Sequence, residues 1–203
     1  MSNLFESLIA RPLAEKMRPT RLELLVGQEH LLAPDAPLGR MLRERRASSM
    51  ILWGPPGSGK TTLAKIIAEH VNMNFVSLSA VFSGVSDLRR VFDKAIERKK
   101  IGEETLLFVD EIHRFNRAQQ DSFLPFVEDG TVVLVGATTE NPSFELNSAL
   151  LSRCKVFILE KIARAGLEHL VKRAEKLEGK ELPLKQEARD ALLSMADGDG
   201  RFL

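Results

Sequence analysis

A glycine-rich segment that runs into lysine and threonine carries the clearest chemistry in this sequence. Residues 54–61 read Gly-Pro-Pro-Gly-Ser-Gly-Lys-Thr, which fits the phosphate-binding pattern G-x-x-x-x-G-K-[ST]. Glycines allow the tight turn that points several backbone N–H groups at one anion, and a following helix adds its positive N-terminal end. We expect Lys60 to reach the β- and γ-phosphates of a nucleotide, and Thr61 to offer its hydroxyl to Mg²⁺, which prefers oxygen ligands. The alternative, a chance glycine-rich turn, is disfavoured because an apolar run precedes the segment and an apolar helical pattern follows it.

A pair of acids follows an apolar run further along the chain. Residues 106–109 read Leu-Leu-Phe-Val, and Asp110 and Glu111 come directly after them. An acid at the C-terminal end of a parallel strand faces the crevice where ligands bind. We therefore expect Asp110 to hold the metal through its water shell, and Glu111 to polarise a water for in-line attack on the γ-phosphate. The alternative is a solvated acid pair, and the upstream phosphate-binding segment favours the functional interpretation.

Polar residues near two other strand ends leave their roles open. His113 lies two residues beyond Glu111, and a surface histidine is favoured over one that contacts the γ-phosphate or a partner. Thr138 and Thr139 follow the apolar run 132–135. Either threonine can hydrogen-bond the attacking water or the γ-phosphate, or the segment is ordinary strand-end turn chemistry.

An arginine and the single cysteine precede the last apolar run. Arg153 lies between a short helical segment and that run. A guanidinium can stabilise charge on a transferring phosphoryl group, often from a neighbouring subunit, but the residues alone favour a solvated or salt-bridged arginine. Cys154 is interpreted as a small buried residue that begins a strand.

Alternating short apolar runs and longer helical patterns must position these residues. The pattern predicts an α/β fold with a parallel sheet flanked by helices, because such runs suit strands covered on both faces. Two amphipathic helices without further strands follow, so we place an α/β domain at 1–160 and a small, incomplete all-helical part at 161–203. The predicted strands are 50–53, 74–78, 106–109, 132–135 and 155–159, and the predicted helices are 61–70, 85–99, 118–128, 146–151, 163–177 and 185–195.

Composition excludes several classes of protein. Of 203 residues, 44% are hydrophobic and 28% are charged, which excludes a largely disordered chain or a fibre. The net charge of +1 gives no basic footprint over the whole chain, and one cysteine excludes an internal disulfide and a cysteine-rich metal site. No apolar window is long enough to span a membrane and no targeting signal begins the chain, so the cytosol is the expected compartment.

Two basic clusters are candidates for local contact with nucleic acid. The first spans residues 40–46 and the second spans residues 89–100. In the second, Arg90, Lys94 and Arg98 share one helix face that can contact phosphates. A solvated face with Asp93 and Glu97 as ionic partners is favoured by the sequence alone.

The order of these motifs resembles the AAA+ ATPases of the clamp-loader branch. Within that branch, residues 50–57, 108–116 and 136–153 are similar to the family of replication-associated recombination proteins and Werner-helicase-interacting proteins. The resemblance covers nearly the whole chain. It implies a P-loop NTPase fold with a helical lid, and an ATP- and Mg²⁺-using, DNA-dependent ATPase in replication-fork maintenance and in recombination and repair at stalled forks.

The resemblance also implies residue roles. It makes residues 106–111 the Walker B strand, with Lys60, Asp110 and Glu111 as catalytic residues and Thr61 and Asp110 as the metal-binding ones. Thr138 resembles sensor 1, with Thr139 as the second choice; Arg153 resembles an arginine finger that acts on a neighbouring subunit's ATP; Arg201 resembles sensor 2; and Ser79 matches a residue that restrains the catalytic glutamate. The implied nucleotide-binding residues are Arg18, Pro19, Val26 and Gly27 on the adenine side and Pro56, Gly57, Ser58, Gly59, Lys60, Thr61 and Thr62 on the phosphate side.

Partners follow from the same resemblance. For the full-length protein it implies DNA forks, gaps and duplex ends, a homo-oligomer (a tetramer), and a single-stranded-DNA-binding protein or other replication factors. It also implies no membrane and a cytoplasmic, nucleoid-associated location in bacteria. Family members continue beyond Leu203, so we expect this chain to be an ATPase core without the oligomerisation region. The alternatives are a nucleotide-switched DNA- or protein-binding module, and a clamp-loader subunit or branch-migration motor, against which residues 140–144 (Glu-Asn-Pro-Ser-Phe) argue.

Overall fold

Five parallel strands form one sheet at the centre of the chain. The computed structural model describes residues 12–203, so residues 1–11 of the predicted 1–160 domain lie outside the described part. The sheet has the order β2-β3-β4-β1-β5, with all pairs parallel. The strands are β1 (Met50–Trp53), β2 (Asn74–Ser79), β3 (Thr105–Asp110), β4 (Val133–Thr138) and β5 (Lys155–Ile158). This architecture confirms the predicted α/β fold with a parallel sheet.

Strand register brings the polar strand ends to one edge of the sheet. Ser79 pairs with Asp110, and Trp53 pairs with Thr138. Because all strands are parallel, the loops after β1, β3 and β4 leave the sheet on the same side. The glycine-rich segment, the acid pair and the two threonines therefore meet.

Helices cover both faces of the sheet because residues along each strand alternate between them. In β3, Leu106 and Phe108 pack on one side, and Leu107 and Val109 pack on the other. The helices are α1 (Leu13–Lys16), α2 (Glu29–Leu32), α3 (Pro37–Arg43), α4 (Lys60–His70), α5 (Val85–Lys100), α6 (Arg117–Asp121), α7 (Leu124–Glu128), α8 (Pro142–Glu145), α9 (Ser148–Leu151), α10 (Arg164–Glu178) and α11 (Gln186–Ala196), with 3-10 turns at Leu22–Leu24 and Ile112–Arg114.

Two helix predictions were wrong: one helix is divided in two, and the other begins later than predicted. The predicted helix 118–128 is divided into α6 and α7, since Pro125 has no N–H to continue a helical ladder and Phe123 turns into the core, where it is fully buried. The predicted helix 146–151 begins only at Ser148, because the Asn147 side chain caps it by accepting from the Ala149 N–H at 2.8 Å. Residues 142–145, outside the predicted elements, form the separate helix α8.

The last two helices pack on each other through a small apolar cluster. It consists of Ile162, Leu167, Val171, Leu193 and Ala196, with Val26 of the N-terminal part packed against it. We refer to residues 161–203 as the C-terminal helical segment. Across residues 12–203, every helix falls short of the length and apolarity that a membrane crossing requires.

Candidate nucleotide site

The glycine-rich segment forms a tight loop between β1 and α4. Gly57 and Gly59 have φ angles of +67° and +97°, values that favour glycine. Helix α4 begins at Lys60, so its first N–H groups open onto the loop. This arrangement is a ready anion-binding cradle.

The lysine of the loop is held inside it. Lys60 Nζ donates to the carbonyl oxygens of Gly54 at 2.7 Å and Pro55 at 2.9 Å. Burial lowers the pKa of Lys60, while the nearby carboxylates of Glu111 and Asp110 act in the opposite direction. The ammonium group is therefore desolvated by burial and stabilised by both acids, and it lies where it can pair with a phosphate anion in the cavity.

One cavity of about 880 Å³ brings together most of the predicted site residues. All seven loop residues from Pro56 to Thr62 line it, and so do Asp110 and Glu111. Thr61 and Asp110 both line this cavity, and a hydroxyl and a carboxylate are hard oxygen ligands of the kind that Mg²⁺ prefers.

The N-terminal segment and the C-terminal helical segment also line the cavity, and we call this part the predicted adenine side. Arg18, Pro19 and Val26 line the cavity. Arg18 also forms a 2.7 Å ion pair with Glu15. Gly27 is not among the lining residues; it has a φ of +86°, and a Cβ built on it would lie 3.3 Å from the Ile162 Cα. Gly27 therefore permits a close approach of two chain segments instead of forming the cavity wall.

Gln28 was missed by the sequence reasoning, although it ties three parts of the site together. Its side chain is fully buried. Gln28 Nε2 donates to the carbonyls of Ser58 at 3.2 Å and Glu160 at 2.9 Å, and the Glu160 N–H donates to Gln28 Oε1 at 3.1 Å. Gln28 thereby joins the predicted adenine side, the phosphate loop and the start of the C-terminal helical segment. A polar residue next to Gly27 is too common to have signalled this role.

Glu111 adopts an unusual backbone conformation at the cavity wall. Its φ and ψ angles are 52° and 45°, in the left-handed region that costs a non-glycine residue about 1 kcal/mol or more. The turn that follows carries the fully buried Ile112 into the core. The chain thus bends sharply between the strand end and this turn, and the Glu111 carboxylate faces the cavity.

His113 is not the surface residue that the sequence favoured. Its side chain is only 6% exposed. His113 Nδ1 lies 2.9 Å from Thr138 Oγ1 and 3.3 Å from Glu111 Oε2. The prediction was wrong because the turn that buries Ile112 also brings the His113 side chain against Thr138 at the end of β4.

The two threonines after β4 have different environments. Thr138 is fully buried and is absent from the cavity wall; its hydroxyl contacts His113 and accepts from the Glu140 N–H at 3.0 Å. Thr139, one residue on, lines the cavity. The assignment of Thr138 as sensor 1 stays a prediction, and Thr139, the second choice, is the threonine that lines the cavity.

Arg153 lies outside the cavity, on the surface. Its guanidinium pairs with Glu128 at 2.5 Å and donates to the Ala149 carbonyl at 2.7 Å. This is the salt-bridged arginine that the residues alone favoured. In one chain, Arg153 does not contribute to its own cavity.

The C-terminal helical segment covers the phosphate loop. The Gly200 N–H donates to the Gly57 carbonyl, with 3.4 Å between nitrogen and oxygen. The next residue, Arg201, lines the cavity. The Arg201 guanidinium adds to the lowering of the Lys60 pKa. Two cations, Lys60 and Arg201, therefore line the same cavity.

Ser79 ends β2 opposite Asp110 and is partly buried.

Comparisons with a family model and with curated proteins agree with the fold and the cavity described above. Residues 50–161 match the family described as "ATPase family associated with various cellular activities (AAA)". The chain is 47% identical to replication-associated recombination protein A of Escherichia coli over 209 aligned residues, which include 99% of this chain and 47% of that protein. It is 50% identical to the ATPase WRNIP1 of Dictyostelium discoideum over 194 residues, which include 94% of this chain and 22% of that protein.

A solved structure shares the architecture. The Thermotoga maritima RuvB Holliday junction branch migration motor superimposes with a TM-score of 0.74 at 30% identity, over 92% of this chain and 62% of that one. The chain spans about half the length, or less, of the curated relatives it matches.

Proposed function

The chain belongs to the AAA family of ATPases, and on that premise we propose that it binds ATP with Mg²⁺ in the 880 Å³ cavity, hydrolyses it and uses this turnover on replicating or recombining DNA. One observation carries the ATPase part of the proposal. The phosphate loop, the acid pair, Thr139 and Arg201 come from four separate parts of the chain and line one cavity.

Each residue has a distinct part in the proposed reaction. Loop N–H groups and Lys60 bind the β- and γ-phosphates, and Arg201 adds positive charge from the C-terminal helical segment. Glu111 orients a water and takes its proton as the water oxygen bonds to the γ-phosphorus, while the bond to the bridging oxygen breaks and ADP leaves. Thr139 is the polar residue placed to hold that water. Mg²⁺, held by Thr61 and Asp110, would neutralise charge on the phosphates.

We assign the arginine finger to Arg153 of a neighbouring copy. Its place on the surface, away from its own cavity, supports action in trans. In an assembly the guanidinium would exchange Glu128 for the neighbour's γ-phosphate. A homo-oligomer, a tetramer by resemblance to the family, is therefore part of the proposal.

DNA is proposed as the macromolecular partner. The support is the likeness to replication-associated recombination protein A and the exposed basic residues of α5, among them Arg89, Arg90 and Lys94. Forks, gaps and duplex ends are the proposed structures, recognised through shape and backbone. A single-stranded-DNA-binding protein or another replication factor is a proposed protein partner.

The test is steady-state ATP hydrolysis with and without forked DNA. We expect fork DNA to raise the rate, Lys60→Ala and Arg153→Ala to abolish it, and Lys172→Ala, an exposed cation on α10, to leave it unchanged. Equal rates with and without DNA would exclude DNA dependence. An unchanged rate in Lys60→Ala would exclude this cavity as the site of hydrolysis.

Mixing the two inactive variants tests the finger. Lys60→Ala keeps a finger but has no working cavity, and Arg153→Ala keeps a cavity but has no finger. If the finger acts between copies, the mixture hydrolyses ATP faster than the sum of its components. A mixture that stays inactive, while each variant still self-associates, contradicts action in trans.

A branch-migration motor is the second candidate, because the RuvB motor has the same architecture at 30% identity. Branch migration of a synthetic Holliday junction by the chain would favour this candidate over fork maintenance.

The Glu111→Gln variant distinguishes the ATPase proposal from a nucleotide-switched binding module. If that variant binds ATP without hydrolysing it and still supports the cellular function, turnover is incidental.

A further inference from the structure

We propose that His113 is a positioning residue that fixes the Glu111 carboxylate relative to the end of β4. This inference rests on the proposed function, since it assigns a role within the same hydrolytic site. His113 itself is absent from the cavity wall, so it acts through Glu111 and does not touch the nucleotide.

One ring nitrogen of His113 serves both neighbours. Nδ1 lies 3.3 Å from Glu111 Oε2 and 2.9 Å from Thr138 Oγ1. Among residues 12–203, His113 is the one side chain that lies within ion-pair distance of the Glu111 carboxylate. Without His113, no side-chain contact would favour one rotamer of the partly exposed Glu111 carboxylate over the others.

The surrounding bonds select the tautomer. Thr138 Oγ1 accepts from the Glu140 N–H at 3.0 Å and can donate to the Glu140 carbonyl at 3.2 Å. A bare Nδ1 lone pair 3.3 Å from a carboxylate oxygen would be repulsive. A proton on Nδ1, by contrast, is donated to Thr138 Oγ1 and also attracts the nearby Glu111 carboxylate, so the structure assigns the Nδ1–H form.

His113, hydrogen-bonded to Thr138 and within ion-pair distance of Glu111, lies between the two sides of the space that the attacking water would occupy. Glu111 ends the β3 side, and Thr139 follows Thr138 directly on the β4 side. Because the buried Thr138 hydroxyl is fixed to the backbone of the Glu140 loop, His113 sets the Glu111 carboxylate against a rigid reference. The left-handed backbone of Glu111 also restricts the carboxylate, because it fixes the direction in which the Cα–Cβ bond leaves the chain.

Two substitutions separate positioning from simple packing. In His113→Asn, the amide Nδ2 lies where the histidine Nδ1 was and can donate to the same oxygens. In His113→Gln, the amide reaches instead toward the former Nε2 position. We expect His113→Asn to keep kcat within about threefold of the parent chain and His113→Gln to lower kcat about tenfold or more, with KM for ATP little changed in both.

The outcomes are decisive in either direction. Equal losses in both variants, or losses in KM and thermal stability alone, would reduce His113 to a structural residue. A higher kcat in His113→Gln would show that the contact restrains Glu111 instead of positioning it. Either result overturns the inference while leaving the ATPase proposal intact.

A second measurement does not depend on turnover. Side-chain ¹⁵N spectra of the histidine-labelled chain report the tautomer of each of its four histidines, and the His113→Gln spectrum identifies the His113 signals. We expect a protonated Nδ1 whose shift changes in Glu111→Gln. A bare Nδ1, or a signal indifferent to Glu111→Gln, overturns the inference. If the parent chain shows these signals but hydrolyses no ATP, the failure belongs to the proposed function alone.

Discussion

Gly57 of the phosphate loop lies directly against Asp199 of the C-terminal helical segment. A Cβ built on Gly57 would lie 2.8 Å from the Asp199 Cα and would also overlap its carboxylate. The loop and the helical segment therefore fit together only because residue 57 has no side chain.

Gly57→Ala should weaken nucleotide binding and the packing of the helical segment together. The left-handed backbone alone costs an alanine about 1–2 kcal/mol, and the contact with backbone atoms of Asp199 cannot be relieved by a rotamer change. Denaturant unfolding and titration with a fluorescent ATP analogue measure the two effects. Gly84→Ala is the matched control, because a Cβ there meets no atom within 4 Å. Equal behaviour of the two variants would contradict the prediction.

Gln28→Ala should destabilise the chain by about 1–3 kcal/mol, the cost of leaving a buried backbone group, here the Ser58 carbonyl, without a partner. The Ser58 carbonyl and both backbone groups of Glu160 lose their bonds to the Gln28 side chain. Urea unfolding gives the free energy, and Gln186→Ala serves as control because that glutamine is exposed. A loss no larger than that of the control would show that water replaces these bonds without cost.

An ion pair in the C-terminal helical segment gives a pH-dependent prediction. The Arg189 guanidinium binds both Glu175 oxygens, at 3.0 and 3.1 Å, and with the Leu182 N–H it lowers the Glu175 pKa from its ordinary value of 4.5. A lowered carboxyl pKa contributes stability that is present above pH 4.5 and is lost as pH falls through the folded-state value. Arg189→Met should therefore lower the melting temperature at pH 7, and the difference should shrink as pH falls below 4.5.

Lys94→Met, an exposed substitution on α5, controls for loss of a positive charge that does not act on Glu175. A difference between Arg189→Met and the parent that stays constant from pH 7 to pH 3 would show that the arginine acts through packing and not through the Glu175 charge.

The single cysteine should be unreactive while the chain is folded. Burial raises the pKa of the Cys154 thiol to about 12. At pH 8 the thiolate fraction would be roughly a thousandfold lower than in an unfolded chain, whose cysteine has a pKa of about 8.5. Labelling by a thiol reagent should slow accordingly in buffer and become fast in urea. Rapid labelling in buffer would show that the start of β5 opens readily.

The phosphate loop and the acid pair were predictable because their chemistry depends on residues adjacent in sequence. A glycine-rich turn before a helix, and an acid at a strand end, need no knowledge of distant contacts. His113 and Gln28 were not predictable, because their roles depend on partners 25 and 132 residues away. The residues alone left Thr138 and Thr139 open, because β4 continues to Thr138, beyond the apolar run that ended its prediction at residue 135, and the strand pattern could not show which of the two lines the cavity.

The bonds of Gln28 also bear on how the protein is made. A ribosome releases residue 28 long before residue 160, and the Glu160 backbone is the partner of both the amide nitrogen and the amide oxygen of Gln28. During synthesis, the Gln28 side of the cavity therefore cannot be completed until the residues after β5 have emerged. A nascent chain halted before β5 would carry the whole phosphate loop sequence but would lack the Glu160 backbone that fixes Gln28.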